Sequence, residues 1–453
     1  MTADTSPDFG INIVGYVSGN LGLGVLARHI VSVLLARGCP VRILDIDPEL
    51  GRGGHDQRFA DYTVSSVHDL PHPVTFLIFP PVSIVTFLKD RRNRDLLLRN
   101  DGLNAALINW EQMTVPGEWA RGLGGLDVIV APSAFTRETF EKALPNVPVL
   151  SMSVPLQLPE TVTADRASFD LQPDRVWFGS AFEPYSDPAR KNPFAVLDAF
   201  EQALPSRRDV GLVIKVNNAT VGGRPHPIME ELRARSRRDD RIVLLEKSLE
   251  YARVLSFYAS LDVYVSLHRS EGIGLGLLEA MSLGKPVIAT GWSGNMSFMD
   301  RSNSCVVSYE LVPVRGRPFV YSEELLGPLA VWANPDVTNA AEWMRFLADR
   351  PNVRAVIGRN ARASMGLYQA EAQRARFVDE LRLILESEVS WGIGVEKRKA
   401  RRDRLKRSMA EGKSEAKQSG AAWVRSVRSL AKKAGFRRGK FPYWTPPRRR
   451  GTS

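Results

Sequence analysis

Two glutamates, Glu271 and Glu279, stand eight positions apart and bracket Gly272, Gly274 and Gly276. The apolar segment before them ends near His268 and an amphipathic one begins at about Leu277, so the run reads as a turn from a strand into a helix. A helix start presents unpaired N–H groups and the positive end of a dipole, which suits a diphosphate. Glycines let phosphate approach the backbone closely. Glu271 in the turn and Glu279 on the helix can then face one ligand, one of them near a sugar and the other near a ribose. The plainer alternative is a solvated helix edge after a simple turn.

A second cluster lies in the run 178–194, where Arg190 and Lys191 precede a helix. Adjacent cations suit a helix start poorly unless an anion lies between them, and a diphosphate is such an anion. Lys215, at the end of the apolar run 210–216, points towards the same place. His268, last in its strand, can contact the sugar, and the loop 291–295 (GWSGN) can close over it. Surface charge, a satisfied half-buried histidine and a tight turn are the competing readings. Near the amino terminus, Gly22, Gly24 and Ala27 form a G-x-G-x-x-A pattern, and Asp45 lies 21 positions beyond Gly24. Four residues separate the preceding strand from that pattern, whereas in a dinucleotide site the glycines follow the strand almost at once, so the pattern argues only weakly for NAD. Trp110 and Glu111 follow another apolar run and are candidates to stack on and bond an acceptor. They read equally well as core filler and the partner of an arginine. Ser133 reads first as a helix cap.

These residues need elements to hold them. Apolar strands alternate with amphipathic helices from residue 11 to 143, with strands expected at 11–17, 41–46, 74–79, 105–108 and 128–130 and helices at 23–37 and 134–143. Prolines 145, 148, 155 and 159 mark a crossing, after which the alternation resumes from 175 to 289 and a strongly helical stretch covers 338–386. Such alternation predicts α/β architecture with two Rossmann-like, doubly wound domains facing a cleft, where ligands bind beyond the carboxyl ends of the strands. The expected division is 1–165 on the acceptor side, 166–330 for donor binding, 331–395 as helices packing on the body and 396–453 as a basic tail.

The segment SLHRSEGIGLGLLEAMSLGKPVIAT, residues 266–290, resembles the Glu-x7-Glu signature of glycosyltransferase family 4, retaining enzymes of the GT-B fold that use nucleotide-diphosphate sugars. The resemblance covers roughly residues 12–386 and is strongest between 178 and 295. It implies that Glu271 contacts the transferred sugar, that Glu279 binds the ribose hydroxyls and that the amides of Gly274, Leu275 and Gly276 hold the diphosphate. The basic pair before a helix also matches, which assigns Lys191 to the donor phosphates. Family members often carry an arginine right after the strand glycine, where this chain has Ser180, so Arg190 is expected to compensate. The candidate catalytic residues are therefore Glu271, Arg190 and Lys191. The donor set is Glu279, Gly274, Leu275, Gly276, Lys215, His268, Gly22 and Gly24. Retention of anomeric configuration comes from the resemblance alone. No cofactor or metal is expected beyond the sugar nucleotide, because fixed cations take a metal's place and no ligand cluster is spaced for one.

Composition bounds the rest. The 453 residues are 44% hydrophobic and 25% charged, as in soluble globular chains. No run approaches a membrane span and the amino terminus lacks a signal-peptide pattern, so the expectation is a cytoplasmic protein, peripheral on the membrane at most. Cys39 and Cys305 read as buried thiols. The net charge of +11 belongs to the tail, since residues 396–453 hold 20 Lys/Arg against 4 Asp/Glu and the rest of the chain is slightly acidic. Within it Trp423, Val424, Val427, Leu430, Ala431 and Ala434 fall on one helical face and Arg425, Arg428, Lys432 and Lys433 on the other, the pattern of a helix lying on an anionic membrane. The acceptor is expected to be a glycan or lipid-linked glycan. Two rivals stand beside transfer. One is a sugar-nucleotide epimerase of the same fold, and the other is a basic-tailed nucleic-acid-binding protein, against which the intact glutamate pair argues.

Overall fold

Runs that are apolar on both faces cannot sit at a protein surface, and they settle the architecture. In the computed structural model, which describes residues 9–46, 56–89, 102–221, 223–315, 321–391 and Asp403, they form two parallel sheets. The first holds β1 (Ile11–Gly15), β2 (Val41–Asp45), β3 (Thr63–Val64), β4 (Val74–Ile78), β5 (Leu103–Leu107), β6 (Val128–Ala131) and β7 (Val149–Ser151), in the order β3-β2-β1-β4-β5-β6-β7. β1, β4, β5 and β6 are buried at every position.

The second sheet contains β8 (Val176–Phe182) and β9 (Val210–Val216). After a small hairpin of β10 (Thr220–Val221) and β11 (Arg224–Pro225) come β12 (Ile242–Leu245), β13 (Val263–Ser266), β14 (Val287–Thr290) and β15 (Cys305–Val307). Its order is β12-β9-β8-β13-β14-β15. The chain reverses direction across each sheet once, at β1/β4 and at β8/β13, and a crevice opens beyond the carboxyl ends there. A further hairpin, β16 (Tyr309–Pro313) with β17 (Val331–Pro335), stands outside both sheets.

Helices cover the sheets where the pattern predicts them, with ends set by local chemistry. Gly38, at φ 69°, closes the helix Gly22–Ala36, Ser133 caps Ala134–Ala143 and Asp336 caps Val337–Ala348. β3 and β7 escape the alternation pattern because they are two and three residues long at sheet edges. The hairpin β16/β17 was not expected either, and position 330, taken above as a domain end, falls inside it. Two parts of the carboxyl-terminal helical stretch pack differently. Val337–Ala348 lies on Pro193–Ala203 of the second unit, while Arg376–Trp391 returns to the first, where Phe377 meets Phe76 at 5.7 Å between ring centres. Between them, Gln369 and Gln373 of the helix Pro351–Gln373 bond the backbone of Val154 and Leu156 in the crossing segment. Cys39 and Cys305 are buried free thiols. No described helix is long and apolar enough to cross a membrane. The amphipathic tail pattern at 423–434 lies outside the described residues.

Candidate functional site

β8 and β13 are neighbours at the second sheet's reversal, so the segments that leave them meet. After β8 the chain enters a short helix, Pro188–Lys191, flanked by Asp187 at φ 74° and Asn192 at φ 53°. Positive φ at non-glycine residues is held only where surroundings over-determine it. Here the Asp187 carboxylate accepts the Arg190 amide at 3.0 Å, and the Asn192 side chain donates to the carbonyl of Leu267, just past β13, at 2.9 Å.

This strained turn aims Arg190 inwards. Its Nη1 donates to the Ser270 carbonyl at 2.9 Å and lies 3.2 Å from Glu271 Oε2. Its Nη2 donates to the Ser186 carbonyl at 2.9 Å and lies 3.7 Å from Glu111 Oε1. Lys191 Nζ meets Glu271 Oε1 at 2.5 Å. Tyr321, carried by the segment between β16 and β17, donates its hydroxyl to Glu111 Oε2 at 2.7 Å and places its ring 5.5 Å from the Arg190 guanidinium. One buried charge network thus joins Glu111 of the first unit to Glu271 of the second.

The turn of Glu271 is held with equal care. Its amide donates to Ser293 Oγ at 2.8 Å and its carbonyl accepts from the Gly294 amide at 2.8 Å, which brings the 291–295 loop against it. Ser293 is itself at φ 76°. A Cβ on Gly294 would lie 2.0 Å from the Gly272 carbonyl oxygen, so only glycine permits this approach. Gly274, at φ 81°, opens the helix Leu275–Ser282 with no side-chain cap, and a Cβ on Gly276 would lie 2.9 Å from the Tyr264 hydroxyl.

The two glutamates live in opposite electrostatic environments. Burial alone would raise the Glu271 carboxyl, but the Lys191 ammonium and the Arg190 guanidinium outweigh it and hold the carboxyl down at about 2. Glu279 is as deeply buried, and a bond from Tyr251 and the charge of Lys215 do not offset that burial, so its carboxyl is pushed up to about 8. Lys215 is itself drawn down to about 8 by burial, against the pull of Glu183 and Glu279. Tyr251 extends the chain into the first unit. His29 Nε2 lies 3.1 Å from its hydroxyl, and His29 Nδ1 accepts the Gln157 amide at 3.0 Å, so the histidine is neutral with its proton on Nε2. Burial depresses its pKa to about 3.

Unpartnered buried polar atoms gather around Glu271. Asn109 Oδ1, Asp187 Oδ2, Arg190 Nε, both ring nitrogens of His268, Ser270 Oγ, Trp292 Nε1 and Asn295 Oδ1 have no hydrogen-bond partner among the described residues. A folded chain leaves few such groups, and their concentration marks a place built to bind something polar.

The model of the family described as Glycosyl transferases group 1 matches residues 184–312, the stretch that carries this cluster. Among solved structures, Anabaena HepE in complex with UDP and glucose aligns with a TM-score of 0.54 at 13% identity, over 84% of this chain and 100% of that one. The sucrose-phosphate synthase of Thermosynechococcus elongatus aligns at 0.59 and 12%, with the same shares of the two chains, and OtsA in its apo form at 0.56 and 10%, over 82% and 99%. A search of curated proteins finds no match. The chain is a glycosyltransferase of the GT-B fold.

The site of this glycosyltransferase corrects several expectations. Trp110 is 2% exposed, stacks on Tyr321 with ring centres 5.7 Å apart and donates its indole N–H to the Thr114 carbonyl, so it is core and presents no face to a sugar. Glu111 is the arginine partner, bound to Tyr321 and beside Arg190, and is not an exposed acceptor group. Arg190, 3% exposed and with both Nη atoms engaged, positions Glu271 rather than reaching outward as Lys191 does. Gly24 lies in the first helical turn, where a Cβ would sit 2.2 Å from the Gly19 carbonyl oxygen, so loop packing explains it. Gly22 has open space around it, and no described contact brings either glycine to the charge network. Their loop reaches the second unit through Asn20, whose side chain donates to the Leu249 carbonyl at 3.3 Å. Ser133 is a cap, as first read, and also donates to the Gly272 carbonyl at 2.6 Å. Tyr321, Tyr251 and His29 were missed, because no local motif announces contacts made across 200 or so positions of chain. No group of three or more His, Cys, Asp or Glu able to hold a metal ion occurs among the described residues.

Proposed function

We propose that this chain is a retaining glycosyltransferase of family 4, transferring a sugar from a nucleotide-diphosphate donor to a glycan or lipid-linked glycan without a metal. The observation that carries the reading is the Lys191–Glu271–Arg190 network at the topological reversal, beside a helix start without a side-chain cap and ringed by unpartnered polar atoms. Loss of the nucleotide diphosphate leaves negative charge on its phosphates. Lys191 and the amides of Leu275 and Gly276 supply fixed positive charge for it, the kind of preorganised stabilisation that dominates such reactions. Glu271, ionised and steered by Arg190, faces the transferred sugar, with His268 beside it. Glu279, carrying a proton near neutrality, offers both a donor and an acceptor to the ribose hydroxyls. A diphosphate entering this site competes with Glu271 for Lys191. HepE was solved with UDP and glucose, which makes UDP-sugars the first donors to try.

The test is nucleotide release from a panel of nucleotide sugars, with and without glycan acceptors. Transfer predicts release that depends on acceptor, whereas an epimerase releases nucleotide without one. The basic tail is proposed to hold the enzyme on anionic membranes, within reach of lipid-linked acceptors. Sedimentation with anionic and neutral vesicles, comparing the full chain with one ending at Val395, checks this. Equal binding by both chains would remove the tail from the account.

A further inference from the structure

A cavity of about 690 Å³ lies next to the segment that carries Arg190 and Lys191, and its walls include Phe194, Ile228, Arg269, Val312, Arg315 and Trp332. None of these six belongs to the charge network of Glu271. The hairpin β16/β17 provides Val312 and Trp332, so the cavity is built where that hairpin leans on the second sheet.

Arg269 sets the chemistry. Several arginines held at or near the interior have carboxylate partners: Arg28 with Asp56, Arg166 with Asp262, Arg235 with Glu201 and Arg241 with Asp239. Arg269, half-buried, has none among the described residues and lies 5.6 Å over the Trp332 ring. Burial lowers its pKa with no neighbouring acid to oppose the shift. Arg315, exposed on the same cavity, also lacks a carboxylate partner among the described residues. The backbone beneath is fixed, since the Arg269 amide donates to the Arg190 carbonyl at 2.7 Å and its carbonyl accepts from Ala333 at 2.9 Å. Two guanidinium groups match the double charge of a phosphomonoester, and a carboxylate would neutralise only one of them. The remaining wall is apolar except for Asn192, whose side-chain amide is engaged with the Leu267 carbonyl, so a free inorganic ion would leave most of the volume without a partner.

We propose that this cavity binds a phosphomonoester with an apolar body, its phosphate between Arg269 and Arg315 and its body against Phe194, Ile228, Val312 and Trp332. Its place in the enzyme rests on the proposed function, in which such a ligand is the phosphate-bearing carrier of the acceptor. The experiment is calorimetric titration of the full chain with geranyl phosphate, geraniol and inorganic phosphate, in the presence of UDP, GDP and ADP to occupy the donor site. Geranyl phosphate should bind at least about tenfold tighter than either of its halves, and Arg269→Gln and Arg315→Gln should each weaken it about tenfold, the loss of one charge-assisted contact. Absence of binding, or undiminished binding to both variants, overturns the proposal. Equal binding of geraniol removes its anionic half, and equal binding of inorganic phosphate removes its apolar half. Arg315 is exposed, so its variant keeps the test open should Arg269→Gln fail to fold. The nucleotides' own titration is read separately. If they bind and geranyl phosphate does not, only the cavity proposal falls; if geranyl phosphate alone binds, only the donor assignment does.

Discussion

Both sheets reverse their strand order once, yet the segments leaving the two reversals satisfy their polar groups in different ways. Beyond β1, Arg28 turns back on its own loop, donating to the carbonyls of Val17 at 2.7 Å and Gly19 at 2.9 Å and pairing with Asp56 at 3.2 Å. Beyond β8 and β13, Arg190 and Lys191 converge on Glu271 instead, positive-φ residues hold the turns, and unpartnered polar atoms surround the meeting point. One guanidinium braces a loop, while the other orients a carboxylate. The same topology therefore supplies two crevices, and it is the side-chain chemistry of the second that carries the proposed reaction.

The comparison is broken most severely by removing the second crevice's charges. Glu271→Gln and Lys191→Ala should each lower turnover by at least about a hundredfold, the usual scale for one preorganised electrostatic contact, with near-ultraviolet circular dichroism unchanged. A properly folded variant with near-normal turnover would take its residue out of the site. Arg190→Ala should act on the fold as well. It leaves Glu111 and Glu271 buried without the guanidinium between them, and the loss of one partner from such a network costs about 3 kcal/mol, to be read from the midpoint of urea unfolding.

A gentler probe uses pH. The Glu279 carboxyl rises from 4.5 to about 8 on folding, so the unfolded chain releases that proton first as pH climbs, and the folded state loses stability across this window. Glu279→Gln removes the penalty. Its melting temperature relative to the natural chain should therefore be higher at about pH 8.5 than at about pH 5, by a few degrees. A gain that stays constant with pH would mean that Glu279 titrates normally. Smallest of all, Asn20→Ala deletes one neutral bond from the first crevice and should change kcat/KM by no more than about tenfold. A larger loss would mean that the amino-terminal loop carries chemistry after all.

Much of this contrast could be read from the chain before its fold was known. The run from Glu271 to Glu279 displays its strand end, glycine turn and helix start within a few residues, which is what the proposed donor site rests on, and the strand–helix alternation shows both sheets for the same local reason. Tyr321 shows nothing of the kind. Its meaning depends on an antiparallel hairpin carrying it to Glu111 and Trp110, and no periodicity records a contact across 210 positions. Trp110 was open to two readings for a related cause, since a tryptophan after a strand looks alike whether a sugar or another ring will cover it. Gly24 fitted a phosphate-binding pattern, but the carbonyls of Gly19 and Tyr16 are what demand glycine there.

The central claim is that the Lys191–Glu271 pair is the donor diphosphate site, with Lys191 shared between the carboxylate and the phosphates. Titrating UDP, GDP and ADP into the natural chain, Lys191→Ala and Glu271→Gln measures it directly. The account predicts that the nucleotide which binds the natural chain binds Lys191→Ala at least about tenfold more weakly, for want of one charge-assisted contact, and binds Glu271→Gln no less tightly, because the lysine is released from its carboxylate. Unchanged affinity in Lys191→Ala, with the variant folded, would contradict it.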